Sequence, residues 1–270
     1  MMTRIITGAG LLLMLLTVLY FGGWAFAVVW IAAVMIAVAE EFSILTKAEH
    51  RPVAWPTWAA LIVSIPCFLM LDHVEAISIL IAVVTVTFFV VCTVVLFRSN
   101  PRLDDMMFSL MPLLTVALPG MCMLAMNRLP MPLHRVLLSL SFFVPTMGDM
   151  AAYFVGVRYG RAKLNPVISP KKTIEGAFGG LIGSMMTAAV ICILAGILGL
   201  SQFPFWHFML IGLVGGLVGQ IGDLFASMVK RHCGVKDFGT IFPGHGGMMD
   251  RLDSILFVTV FVYIYYLIML

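Results

Sequence analysis

Two aspartates, Asp149 and Asp223, stand inside otherwise apolar stretches of helical length. An ionised carboxylate there costs several kcal/mol unless it is paired, hydrated or bound to a metal, so each marks a candidate site. The plain alternative is an aspartate near a helix end, satisfied by a lysine or a backbone amide. Spacing favours chemistry. Asp223, Ser227, Lys230 and Arg231 fall at i, i+4, i+7 and i+8, one stripe of a helix, acidic at depth and basic toward the surface. Asp250 and Asp253, three apart where the next apolar run begins, share a face. Carboxylates converging from two helices suit Mg²⁺, which takes oxygen ligands and is commonly completed by substrate phosphates. The lysines and arginines suit phosphate oxygens.

Between these groups runs Pro243-Gly244-His245-Gly246-Gly247. Glycines let backbone amides approach a phosphate, although many such stretches are only tight turns. His245 either binds phosphate or fixes that turn. A second segment, Ser169-Pro170-Lys171-Lys172-Thr173-Ile174-Glu175-Gly176, opens an apolar run; Thr173 or Ser169 is placed to cap its helix, and a helix N-terminus is itself an anion site. No G-x-x-x-x-G-K-[ST] loop is present, which excludes an ordinary ATP motor. The residues describe a metal-dependent, phosphate-handling enzyme at a membrane surface. Whether it takes a nucleotide, a lipid phosphate or both stays open at this point.

The elements that position these residues are membrane spans. Hydrophobic residues make up 62% of the 270, charged residues 11%, and the mean hydropathy is +1.09. A soluble domain carries about a quarter charged residues, so this chain needs lipid around it. A bilayer core asks for roughly 20 apolar residues per helix. That ruler predicts an all-α polytopic membrane protein with about nine transmembrane helices, at 5–22, 24–39, 54–71, 76–97, 106–126, 136–157, 176–199, 205–229 and 254–269, with a tight turn at Gly22-Gly23. The first is read as an uncleaved span. One integral membrane domain covers 1–270: generic helices over 1–130, and a catalytic half over 136–270 with loops 158–175 and 230–253. Every Lys and Arg except Arg128 and Arg135 then falls on one side, which the positive-inside rule makes cytoplasmic. Part of that charge serves topology and attraction to anionic headgroups. Cys67, Cys92, Cys122, Cys192 and Cys233 have neither disulfide nor zinc spacing and read as buried apolar residues.

The pattern S-x-x-K-R-x(4)-K-D-x-G-x(3)-P-x-H-G-G-x-x-D-R-x-D, from Ser227 to Asp253, closely resembles the signature of the bacterial phosphatidate cytidylyltransferases, also called CDP-diglyceride synthases. Gly148-Asp149-x-x-Ala152-Tyr153, the Ser169–Gly176 segment and, more loosely, Arg4-Ile5-Ile6-Thr7 resemble that family too. The likeness is good over 148–253 and poor in the first half. Ala226 stands where the family commonly has Glu, Phe238 where it has Ser, and Met150 where it has a small hydroxyl residue. These departures bear on metal affinity or turnover and leave the carboxylates intact.

The resemblance implies that CTP and phosphatidic acid give CDP-diacylglycerol and pyrophosphate, with Mg²⁺ and room for a second cation. It implies a catalytic set of Asp223, Asp250, Lys172, Lys230, Arg231, Lys236, Asp237, His245 and Arg251. Ser169, Lys171, Thr173, Ser227, Gly246 and Gly247 would contact substrate. Asp223 and Asp250 are the expected metal ligands, with Asp149 and Asp253 as ligands or neighbours of ligands. Location in the inner (plasma) membrane, a site facing the cytoplasm, contact with membrane lipid and a homodimer follow from the same likeness; no nucleic-acid partner does. Other readings are a CTP-dependent enzyme acting on another lipid phosphate or a polyprenol, an ion-coupled transporter, and an inactive scaffold. Against the transporter stand the phosphate-type loops gathered on one side and the lack of an inverted repeat in the hydropathy.

Overall fold

The computed structural model describes residues 2–70, 73–200 and 203–270, with side chains placed from Gly8 onward except at 11, 73 and 74. The Arg4–Thr7 likeness lies outside the described side chains, as does residue 71 at the end of the expected third span. Apolar runs become helices because a helix satisfies its own backbone in lipid. They are α1 (Met2–Phe21), α2 (Gly23–Lys47), α3 (Trp55–Met70), α4 (His73–Leu96), α5 (Leu103–Pro112), α6 (Leu118–Asn127), α7 (Leu133–Tyr159), α8 (Ile174–Ile197), α9 (Phe205–His232) and α10 (Met249–Met269). A π-helical turn over Leu113–Ala117 joins α5 to α6, so the two form one rod. Nine rods result among the described residues, as the hydropathy predicts. Seven are long and apolar enough to cross a membrane; Gly8–Phe21 and Trp55–Met70 are shorter apolar helices. The protein is an all-α polytopic membrane protein.

Most boundaries shift by a few residues. The expected loop 230–253 shortens because α9 runs to His232 and α10 starts at Met249, putting Asp250 and Asp253 on a helix. Two differences go further. The second span does not stop at 39 but runs on to Lys47, carrying Glu40 and Glu41 inside the helix as buried residues. The expected loop 158–175 contains a small antiparallel hairpin, β1 (Lys163–Asn165) with β2 (Ser169–Thr173). Gly22, at φ 59°, makes the predicted turn between α1 and α2.

Helices α7, α8, α9 and α10 pack consecutively, and α10 closes back on α7 while also touching α2 and α6. Small residues let these backbones meet, as is usual where lipid supplies no hydrophobic drive between helices. Ser184 of α8, for example, donates to the Val144 carbonyl of α7 at 3.0 Å and packs against Gly148 and Gly216. Gln220 of α9 donates to the Ala177 carbonyl of α8 at 3.0 Å. The hairpin, the loop after α9 and the C-terminal end of α2 lie together at one end of the bundle. Arg128 and Arg135 bond carbonyls of Phe68 and Tyr20 at the other.

Candidate active site

The site is set by glycine–aspartate pairs. Gly148 precedes Asp149 on α7, and Gly222 precedes Asp223 on α9. A Cβ at Gly222 would stand 2.8 Å from the Asp253 carbonyl oxygen and 2.8 Å from the Phe257 ring. Only hydrogen at that position lets α9 and α10 touch there, and the contact carries Asp223 toward Asp253. Ser254 links the third helix, its Oγ lying 3.4 Å from Asp149 Oδ2, while its N–H donates to Asp253 Oδ1 at 2.7 Å. The contacts at Gly222 and Ser254 thus bring together three helices that each carry a carboxylate.

Lys172 comes from the hairpin and its ammonium pairs with Asp223 Oδ2. Thr173 holds the hairpin in place: it is the N-cap of α8, its Oγ1 accepting from the Gly176 N–H at 3.1 Å. Of the two capping candidates, Thr173 therefore does the work, and Ser169 pairs with Asn165 in the strand register. Lys171 is exposed beside them.

The second pair has another character. Lys230 Nζ donates to Asp250 Oδ1 at 2.8 Å, and its ammonium lies 5.2 Å from the centre of the Phe238 ring. Asp250 Oδ2 accepts the N–H of Phe238 at 2.7 Å and of Gly247 at 2.9 Å. Both oxygens of Asp250 are thus taken, and its side chain is 3% exposed, against 23% for Asp223. Phe238, one of the departures from the expected pattern, forms the apolar wall under Lys230. Ala226, the other notable departure, is buried on α9 at 1% exposure.

The remaining predicted residues line the mouth. Ser227 is half-buried one turn above Asp223, and Arg231 is exposed with Nη1 donating to the Val235 carbonyl at 3.3 Å. Lys236, Asp237 and Arg251 are exposed. The Pro243–Gly247 segment is a tight turn in which the Phe242 N–H donates to the Gly246 carbonyl and the His245 N–H to the Phe242 carbonyl, each at 2.9 Å. Gly244 and Gly246 sit at φ 78° and 81°, a region that favours glycine. His245 Nδ1 is buried without a hydrogen-bond partner among the described residues. Among those residues no three His, Cys, Asp or Glu side chains come together as a group that could hold a metal ion.

Sequence reasoning passed over two buried carboxylates of α2, of which Glu40 sits beneath this loop. Glu41, fully buried, accepts from Thr115 Oγ1 at 2.9 Å; Thr115 lies in the π-helical turn, a feature frequent at functional sites. Glu40 accepts the Met249 N–H at 2.9 Å. The available signal was the apolar pattern at Phe42, Ile44 and Leu45, which continues the helix past the two charges.

A charged cluster at one end of a helical bundle defines the class, a polytopic membrane protein with its polar site where the helices meet the surface. The model of the cytidylyltransferase family matches residues 2–269, and the chain belongs to that family. A Staphylococcus haemolyticus (strain JCSC1435) protein named phosphatidate cytidylyltransferase is 34% identical over 259 residues, 96% of this chain and 96% of its own length. The Bacillus subtilis (strain 168) protein of that name is 46% identical over 115 residues, 43% of this chain and 41% of its own. One from Staphylococcus saprophyticus is 44% identical over 126 residues, 47% of this chain and 46% of its own.

Proposed function

We propose that the chain transfers CMP from CTP to phosphatidic acid, giving CDP-diacylglycerol and pyrophosphate, at the cytoplasmic face of the inner membrane. The observation that carries this reading is the accessible Lys172–Asp223 pair, set among Asp149 and Asp253 in a chain whose full-length relative bears that activity as its name. A phosphate oxygen of the lipid forms the new bond to the α-phosphorus of CTP. The bond from that phosphorus to the bridging oxygen breaks, and pyrophosphate leaves with it. Because a phosphomonoester is largely ionised near neutral pH, no side chain has to remove a proton.

Bringing two polyanions together is the main barrier, and positive charge must offset it. Lys172 stands at the carboxylate cluster, while Lys171, Arg231, Lys236 and Arg251 lie exposed at the mouth, placed to hold phosphates. Lys230, bound to Asp250, orders the loop instead. The carboxylates fit Mg²⁺, which takes one or two carboxylates and leaves positions for phosphate oxygens and water. Asp223, the exposed carboxylate, would hold the ion, with Asp149 or Asp253 as a second ligand; Asp250 would join only by giving up one of its present partners. The ion, when bound, neutralises phosphate charge and polarises the α-phosphate. The family likeness further proposes a homodimer.

The test is liponucleotide formation by purified protein in detergent, with labelled CTP, phosphatidic acid and Mg²⁺. Labelled CDP-diacylglycerol is the expected product. No product with phosphatidic acid but product with a polyprenyl phosphate would replace the acceptor; ion flux without CTP consumption would overturn the reading.

A further inference from the structure

Glu40 is 8% exposed, although it lies on α2, in the half of the chain that carries none of the signature. Its Oε2 accepts the Met249 N–H across 209 positions of sequence, and the Met248 amide faces it as well. These are the first amides of α10, whose N-cap residue, Met248, has no capping side chain of its own. Amides at a helix start lack intrahelical acceptors and attract negative charge. Glu40 therefore caps α10 from a different helix. The fit around it is close. A Cβ on either Gly239 or Gly247 would overlap the carboxylate, yet neither residue has a positive φ. What these two signature positions need is room, not backbone freedom. Gly247 lies between two carboxylates, with Glu40 on one side and its N–H given to Asp250 on the other.

We propose that Glu40 is a positioning residue for the transfer. By capping α10 and filling the space that Gly239 and Gly247 leave, it fixes the loop between α9 and α10. With the loop it sets Lys236, His245 and the helix start that bears Asp250 and Asp253. The proposal rests on CTP transfer as the function.

The test measures kcat and KM for each substrate, per active site, on the full chain in detergent. For Glu40→Ala, kcat/KM for CTP should fall about 10- to 100-fold, the loss of a charge-assisted hydrogen bond, with KM for phosphatidic acid unchanged. Glu40→Gln, equal in size and still an acceptor for Met249, should stay within about 3-fold. Gly247→Ala should be impaired alone and add nothing to Glu40→Ala, because the overlapping carboxylate is gone. If Glu40→Ala does not fold, Glu40→Asp with Gly247→Ala reads the same coupling. A wild-type chain that turns over no CTP sinks the functional reading. An active wild type with an equally active Glu40→Ala variant, or a Gly247→Ala cost identical in both backgrounds, sinks the positioning role alone.

Discussion

Two lysine–aspartate pairs divide the site. Lys172–Asp223 is 28% and 23% exposed at its side chains, whereas Lys230–Asp250 is 10% and 3% exposed. A pair open to solvent contributes little to stability and is free to exchange partners for substrate. A buried pair that loses one member leaves an uncompensated charge, at about 3–5 kcal/mol. Asp223→Asn is accordingly expected to abolish CTP turnover while leaving the melting temperature in detergent almost unchanged. Asp250→Ala is expected to lower that temperature by about 6 °C or more and to release the loop to proteolysis. Equal melting temperatures for the two variants would contradict this division. The aspartates themselves were legible in the sequence, because a carboxylate in an apolar run is conspicuous. Their division of labour was not. The Asp250 partners Phe238 and Gly247 offer backbone amides, which every residue but proline has, so residue types carry no trace of the bond.

At the scale of elements, the glycines beside Asp149 and Asp223 decide where those carboxylates stand. Gly222→Ala would put a methyl 2.8 Å from the Asp253 carbonyl oxygen and push α9 away from α10. Overpacking of this kind costs about 1–3 kcal/mol, and a displacement of ~1 Å near reacting groups costs on the order of 100-fold in rate. A fall in kcat of about 10- to 100-fold with the fold retained is expected; wild-type kcat would show that α9 and α10 need not touch there. The helices were readable from run length alone, since bilayer thickness fixes it. The hairpin at 163–173 was not, because its two short polar strands have neither apolar alternation nor a glycine turn to mark them. The extension of α2 was missed because two adjacent charges look like the end of a span. The Met249 amide, far along the chain, makes Glu40 tolerable there, and the Thr115 hydroxyl answers Glu41.

Taken whole, the molecule gathers its charge at one end. Arg51 and Arg98 meet around Asp105 there, with Arg98 Nη1 3.2 Å from Asp105 Oδ2 and donating to the Arg51 carbonyl at 2.7 Å. His50 and His232 also meet there, Nε2 to Nε2 at 3.0 Å. On a background without the native cysteines, Lys163→Cys and Thr240→Cys should both react with an impermeant maleimide in inverted vesicles and not in right-side-out ones. Met131→Cys, exposed at the opposite end, should do the reverse. The opposite pattern would place the site outside the cytoplasm. The bond between Glu40 and Met249 also has a consequence in time. At about 5–20 residues per second the ribosome needs roughly 10–40 s to travel from one to the other, and through that interval α2 carries a carboxylate made for a helix that does not yet exist. The site cannot close until α10 is made, so a nascent chain interrupted before Met249 leaves Glu40 without the helix start that it caps.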